Sequence, residues 1–374
     1  MTTARFASRA YRLLRASSVS VALSGLLAGL LAGLLAVGCN PNNWSDQPET
    51  SSVGVSPGES DDYVTLANDP NVSGAFAITS STLFWIDRGN ITDTVQALSL
   101  DDGSPLQLYA ASPDPTAAIE DLAVDETNVY VTQLALNGTT FTSQVVAIPQ
   151  DGSASTILAS GSDSFVDLSV AGAYVYYSDG DTLFRVPVTG GKSETVDGSG
   201  TEGILDPTLG SLSTSGGAVY WTELGGIGEE NMGTSLMTLA KPDAKPTKLT
   251  EFSAAGAPLL ATNSSSLFWV ATNANSVSFV VAAPAGGDET SIVTSTSDSI
   301  VGLLADESNV YTLVLSAEDQ TESLIETPIG GGDPATLVTG LQPPSQGDAR
   351  HALAQDEDGN LYLAQSGAVL SVAK

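Results

Sequence analysis

"AVYWTE", residues 218–223, decides how the chain is read. An aliphatic residue, an aromatic and a second large apolar residue stand in a row, and such β-branched and aromatic side chains favour strands. The phrase recurs as "TLFWID" at 82–87, "NVYVT" at 128–132, "YVYYSD" at 174–179, "SLFWV" at 266–270, "NVYTL" at 309–313 and "NLYLA" at 360–364. Its key aromatics are Phe84, Tyr130, Tyr176, Tyr220, Phe268, Tyr311 and Tyr362, at spacings of 46, 46, 44, 48, 43 and 51 residues. A period near 45 that holds several short strands is the sequence mark of a propeller blade.

Each unit reads as four strands. A small-residue strand such as "EDLAVD" leads, a Gly, Asn, Ser or Asp turn follows, and the aromatic strand is second. A third, alternating strand such as "QVVAIPQ" ends in a turn such as "QDGS" or "TGGK", and a short fourth strand closes the unit. The last unit is incomplete, because only twelve residues follow Tyr362. The segment "DYVTLAN" at 62–68 resembles the missing fourth strand. The expected fold is therefore all-β: a single β-propeller over 62–374, of seven four-stranded blades, with an N-terminal strand completing the last blade. Six or eight blades are the neighbouring counts.

The aromatic phrase resembles the repeats of YWTD-type propellers, best at Tyr220-Trp221-Thr222-Glu223 and Phe84-Trp85-Ile86-Asp87. That resemblance covers most of the chain, but its motifs are structural and imply a fold rather than a reaction.

The N-terminus has a different composition. Arg5, Arg9, Arg12 and Arg15 precede 23 uncharged residues that end at Cys39, the one cysteine of the chain. At ~1.5 Å per residue such a run could form a helix spanning a ~30 Å hydrocarbon core. Gly25, Gly29 and Gly33 even have the spacing of a dimerising membrane helix. However, Ala36-Val37-Gly38-Cys39 resembles the lipobox of bacterial lipoproteins, in which small residues precede a cysteine that is diacylglycerylated and becomes the mature N-terminus. The resemblance implies a signal helix and signal peptide over 1–38 and lipidation at Cys39. An uncleaved anchor and a plain secretory signal are the competing readings. By the sorting rule of enterobacterial lipoproteins, Asn40 rather than Asp after the cysteine implies the outer membrane, with the propeller facing either the periplasm or the outside. Residues 39–61, rich in Pro, Ser, Asn and acids, read as a flexible acidic tether. Lipobox, "NVY" phrase and "GG" turn together resemble propeller lipoproteins of Gram-negative envelopes.

Beyond Cys39 only eight basic residues face 43 acids, a formal charge of −35. Such a field repels nucleic acids and anionic lipid headgroups. Cationic partners or divalent ions fit it better. A lone cysteine rules out an internal disulfide, and one histidine, His351, rules out a histidine-rich metal site. A Ser-His-Asp triad would have to use His351, whose simplest reading is a loop residue before the last unit. "DEDGN" at 356–360 lacks the spacing of a calcium loop and reads as an Asx-bonded hairpin turn. "GGIGEENMG" at 225–233 has no P-loop lysine and reads as a long loop.

The loops between second and third strands carry Asp87, Asp179, Asp181, Glu223, Glu229, Glu230, Glu318 and Asp319. In a propeller these loops share one face, so they could form an acidic rim around a channel mouth that binds calcium or a cationic peptide. Polar loops also carry acids simply because they are wet. No catalytic residue and no required cofactor is read from the sequence, and the chain is read as a monomer. The expected function is a non-enzymatic binding or scaffold module for a protein, glycan or cation, held at a membrane through Cys39. The outer-membrane β-barrel assembly machinery, which also uses a propeller lipoprotein, supplies one analogy. The alternative is a hydrolase or lyase using carboxylates or a bound divalent cation. Carboxylates gathered with Arg185, Arg350 or His351 at the channel mouth would favour the enzyme; a channel of Ser, Thr and aliphatic residues would favour the binding module.

Overall fold

The repeats fold into seven four-stranded antiparallel sheets, seen in a computed structural model that describes residues 62–89, 92–111, 117–137, 140–198, 208–224, 233–253, 258–273, 275–287, 289–344 and 353–374. The signal segment 1–38, the tether 39–61 with Cys39, residues 225–232 with Glu229 and Glu230, and Arg350 and His351 lie outside the described residues.

The chain enters through β1 (Val64–Asn68). Blade 1 is β2 (Val72–Ile78), β3 (Thr82–Arg88), β4 (Asp93–Ser99) and β5 (Pro105–Ala110). Blade 2 is β6 (Ala118–Val124), β7 (Asn128–Asn137), β8 (Thr140–Pro149) and β9 (Thr156–Gly161). Blade 3 is β10 (Asp167–Ala171), β11 (Tyr174–Ser178), β12 (Thr182–Pro187) and β13 (Glu194–Gly198). Blade 4 is β14 (Thr208–Ser215), β15 (Ala218–Leu224), β16 (Gly233–Leu239) and β17 (Thr247–Ser253). Blade 5 is β18 (Leu260–Thr262), β19 (Ser266–Thr272), β20 (Ser278–Pro284) and β21 (Ser291–Thr296). Blade 6 is β22 (Ser299–Ala305), β23 (Asn309–Leu315), β24 (Glu322–Pro328) and β25 (Ala335–Leu341). Blade 7 is β26 (Leu353–Gln355), β27 (Leu361–Gln365) and β28 (Ala368–Val372).

The fourth strand of blade 7 is β1. It pairs antiparallel with β28, with Val64 opposite Ser371 and Asn68 opposite Ala368. The order β1-β28-β27-β26 thus joins the two ends of the ring in one sheet, as the incomplete last unit requires. The first strand of each blade packs against the first strands of its neighbours all the way round, from β2 against β6 to β26 against β2. These strands are innermost and border the central channel. Antiparallel order then fixes two faces. One carries the turns between first and second and between third and fourth strands. The other carries the second-to-third loops and the connections between blades.

The apolar core lies between the blades. Side chains alternate across a strand, so neighbouring residues of the aromatic strand enter different seams. Phe84 packs in the seam of blades 1 and 2, Tyr130 in that of 2 and 3, and Tyr176 in that of 3 and 4. Tyr220, Phe268, Tyr311 and Tyr362 continue the series to the seam of blades 7 and 1. The next residue faces backwards: Trp85 to blade 7, Tyr177 to blade 2, Trp221 to blade 3 and Trp269 to blade 4.

In blades 2, 6 and 7 the turn before the aromatic strand also holds the tyrosine hydroxyl. Asp125 accepts the Thr127 and Asn128 N–H groups and, at 2.6 Å, the Tyr130 hydroxyl. Asp306 and Asp356 hold Tyr311 and Tyr362 the same way, at 2.8 and 2.7 Å. "DEDGN" is this Asx turn, as its sequence implies. Where the aspartate is replaced by Thr79 or Asn263, the aromatic is Phe84 or Phe268, with no hydroxyl to satisfy.

Deleting residues 62–68 removes the closing strand, strips Ala67 from the last seam and bares the edge of β28. At roughly 2–4 °C per kcal/mol for a domain of this size, the expected result is a thermal midpoint lowered by ~5 °C or more. Calorimetry on full-length and deleted chains measures it, and an unchanged midpoint would contradict the closure.

Candidate functional site: the central channel and its acidic mouth

The innermost strands bring mainly hydroxyl and aliphatic side chains towards the channel. Their incompletely buried residues include Ser169, Val170, Ser213, Thr214, Thr262 and Val301. Glu120 and Gln355 are the charged and amide exceptions, and both are engaged.

The hydroxyls are committed to neighbouring blades. Ser169 Oγ donates to Thr214 Oγ1 at 3.2 Å, and Thr214 Oγ1 donates to the Val170 carbonyl at 3.1 Å, joining blades 3 and 4. Ser213 and Thr262 share a 3.1 Å bond, and Ser215 Oγ donates to the Asn263 carbonyl at 2.7 Å, joining blades 4 and 5. Asn263 Nδ2 then donates to the Asp306 carbonyl of blade 6 at 2.8 Å.

Between blades 1, 2 and 3 buried carboxylates do this work. Asp93, on β4, accepts the Ile119 N–H of blade 2 at 2.9 Å and an Arg88 bond at 3.0 Å. Asp121, on β6, accepts the Leu168 N–H of blade 3 at 2.8 Å. Truncating Asp93 to Ala would leave the buried Ile119 N–H unpaired, an expected cost of ~1–3 kcal/mol. Denaturant titration reads it, and a loss near zero would mean that the clasp contributes nothing.

The described rim acids lie on the connection face, but they are spread over blades 1, 3, 4 and 6 and have separate roles. Asp87 ends β3; burial pushes its carboxyl up to about 6, with the Asp69 and Asp93 charges adding to the rise and Asn71 offsetting part of it. Asp179 accepts the N–H groups of Asp181 and Thr182 at 3.0 and 2.8 Å, closing the β11–β12 hairpin, and Asp181 lies within that turn. Glu223 ends β15 and accepts Trp221 Nε1 at 2.9 Å; burial and the charge of Asp197 in blade 3 still raise its pKa. Glu318 and Asp319 lie in the β23–β24 turn, where Asp319 holds the Thr321 N–H and hydroxyl at 3.1 and 2.9 Å. Among the described residues no three His, Cys, Asp or Glu side chains converge as a metal-binding group. Arg185, on the third strand of blade 3, sits towards the outer rim rather than at the channel mouth.

Glu322 escaped sequence reasoning. It opens β24, is 5% exposed, and keeps Oε2 without a partner. Burial alone pushes it up to about 7. The signal was present in the repeat. Within the first four residues of the third strand, five of the blades carry a buried polar residue: Asp93, Ser143, Thr234, Ser278 and Glu322. In blades 1 and 2 it accepts a main-chain N–H of the next blade, from Ile119 to Asp93 and from Phe165 to Ser143.

These groups set a pH profile of known sign. A glutamate unfolds to a pKa of ~4.3. With a folded value near 7, Glu322 binds its proton more tightly in the native state, so its contribution to stability is present at low pH and is lost as pH rises through about 7. Asp87 acts the same way around 6. Asp125, Asp306 and Asp356 act oppositely. Burial would raise them, but their Tyr, Lys374 and backbone donors outweigh it and hold them below the usual carboxylate range, so their contribution is lost on acidification. Stability is therefore expected to peak on the acid side of neutrality. The Glu322→Gln variant should be more stable than the parent near pH 8 and show a flatter decline between about pH 5 and 8. Thermal midpoints measured against pH test this, and parallel profiles would contradict it.

No known family model matches the chain, and neither does any curated protein sequence. Solved structures do share its fold. An ancestral GH74 enzyme overlays with a TM-score of 0.55 at 11% identity, over 83% of this chain and 49% of that one. An oligogalacturonate lyase in complex with manganese overlays with a TM-score of 0.51 at 8% identity, over 78% of this chain and 74% of that one. A chain of a nidogen/laminin complex overlays at 16% identity, over 68% of this chain and 92% of that one, with a TM-score of 0.45. This chain thus spans about half of the GH74 enzyme, and at these identities the likeness is one of fold.

Proposed function

We propose that the chain is a membrane-anchored envelope lipoprotein whose propeller is a non-enzymatic binding or scaffold module for a protein or glycan. The observation that carries this reading is the use made of the channel's polar groups. Ser169, Thr214, Ser213, Thr262 and Ser215 are spent on blade-to-blade hydrogen bonds, and Asp93 and Asp121 on main-chain N–H groups. General acid–base chemistry needs a carboxyl poised against substrate with a partner that tunes it. Here Asp179 and Asp319 close their own turns, and Glu322 is buried. A ring that spends these groups on its own assembly offers its faces and rim as binding surface.

The anchor rests on the Arg-rich start, the apolar run and Ala36-Val37-Gly38-Cys39. Two or three acyl chains at ~0.8 kcal/mol per buried methylene hold a protein stably at a bilayer. A 23-residue tether of roughly 25 Å root-mean-square span keeps an acidic domain clear of it.

The hydrolase or lyase reading has one observation in its favour: Asp87, raised to about 6, beside Asp69, Asp93 and Arg88. Substituting Cys39→Ala is expected to move the protein from the membrane to the soluble fraction and to abolish acyl labelling. Crosslinking and co-purification from the native membrane should then recover a stoichiometric partner with the parent chain. Loss of partner and turnover of a polysaccharide or peptide abolished by Asp87→Asn would replace the binding reading with the enzymatic one.

A further inference from the structure

The few basic residues of the propeller are gathered in one place. The described residues include seven, and five of them (Arg185, Lys192, Lys241, Lys245 and Lys248) belong to the outer parts of the adjacent blades 3 and 4. The turn between third and fourth strands shows the contrast. In blade 1 it carries Asp101 and Asp102, in blade 2 Asp151, in blade 5 Glu289 and in blade 6 Asp333. In blade 3 the same turn carries Lys192 and no acid, and in blade 4 it carries Lys241 and Lys245 on either side of Asp243. All three lysines are exposed, and among the described residues none is in an ion pair.

A cleft lies between the outer strands of blade 3 and the blade 4 turn that carries Lys241 and Lys245. It has a volume of about 280 Å³ and is lined by Arg185, Thr195, Val196, Leu239, Pro242 and Asp243. Arg185 is its fixed floor. Its side chain is 15% exposed, with Nε and Nη2 donating to Glu194 at 3.0 and 2.8 Å and the guanidinium 4.7 Å from the Tyr174 ring centre. Nη1 donates to the Pro242 carbonyl and so ties the blade 4 turn to blade 3. That turn is stiffened by Pro242 and Pro246 and closed by a 2.9 Å bond from the Ala244 N–H to the Lys241 carbonyl. The other wall is β13, the outermost strand of its sheet, which pairs with β12 on one side and, among the described residues, with no strand on the other.

We infer that this cleft docks an extended, Asp/Glu-rich polypeptide segment of a partner protein, which pairs with the free edge of β13 while Lys192, Lys241 and Lys245 hold its carboxylates. The inference rests on the binding-module reading above and names its partner's chemistry. A free strand edge recognises backbone, with alternate side chains giving specificity. A sugar ring would want an open aromatic face, and Tyr174 is covered by Arg185. An anionic bilayer would press against Asp101, Asp102, Asp151 and Asp333 on the same face. The net charge of the chain does not forbid a local acidic ligand, because screening at physiological salt acts within ~8 Å.

The test uses the full chain and a fluorescent, end-blocked (Glu-Val)₅ peptide, read by anisotropy at physiological salt. Saturable binding is expected, weakening about tenfold or more in K192E/K241E/K245E, and equally when alternate peptide nitrogens are methylated to block strand pairing. A D101K/D102K variant should bind at least as well as the parent. Binding that ignores the lysine substitutions or N-methylation overturns the proposal. So does lysine-dependent binding of phosphatidylglycerol vesicles or oligogalacturonate that exceeds binding of the peptide. A partner that co-purifies with the parent and equally with the triple variant overturns this site while leaving the binding-module reading in place; its loss from the variant supports the site.

Discussion

Two adjacent side chains on the second strand of each blade hold the ring together. Because a strand sends neighbouring residues to opposite faces, Trp85 and Phe84 cannot share a core. One is buried against blade 7 and the other against blade 2. The same is true of Trp221 and Tyr220, and of Trp269 and Phe268. Each blade is thereby an apolar plate with no core of its own, stable only between two neighbours. Removing one such ring from a seam costs ~3–5 kcal/mol of packing, and a circular array has no terminal blade on which that loss could be isolated. Closure by β1 follows from the same constraint, since an incomplete blade 7 would bare the outer edge of β28 and take Ala67 out of its seam with blade 1.

Polar groups follow the apolar seams and are spent on alignment. Seams 1–2 and 2–3 use buried carboxylates that accept a main-chain N–H, whereas seams 3–4 and 4–5 use Ser and Thr hydroxyls. The carboxylate seams are the more costly design, because removing either partner leaves a buried polar group without compensation. Glu322 takes that design furthest, with one oxygen unpaired in the seam of blades 6 and 7. A protonated Glu322 is the form such a site tolerates best, which is why its carboxyl titrates near neutrality.

The fold was legible because its determinants are local and repeated. Period-two alternation gives the strands, the 43–51-residue spacing gives the blades, and the short last unit demands a strand from elsewhere. The rim was legible only in part. Loop order tells which face a residue is on, so Asp87, Asp179, Glu223 and Asp319 do lie on one face. It does not tell how far from the axis a side chain sits or what it bonds. Asp179 and Asp319 turn inward on their own hairpins because a short carboxylate two residues before an N–H closes an Asx turn. Arg185 stands opposite Tyr176 on a third strand, and that register carries it away from the channel. The buried polar position of Glu322 recurs across the repeat, but its lack of a partner there follows from packing against the next blade. The lipobox reading depends on residues 36–39 and stands on sequence chemistry alone.

Specialisation in such a ring is confined by its own mechanics. Innermost strands each touch two others, so a substitution there must suit both, and their side chains are small, apolar or hydrogen-bonded across a seam. Outermost strands pair on one side only and have the freest sequence. The departure from the acidic pattern occurs next to them, where the third-to-fourth turn of blade 3 carries Lys192 without an acid and that of blade 4 sets Lys241 and Lys245 around Asp243. Arg185 couples that freedom back to the rigid interior. Its guanidinium stacks near Tyr174, one residue from Val175 and two from Tyr176, both buried in seams of blade 3, and it holds the Pro242 carbonyl of blade 4. The basic cleft is thus mounted on the same packed seam that fixes the angle between two blades. A ligand there meets a surface whose geometry is already set by the aromatic strands, so little ordering of the protein has to accompany binding.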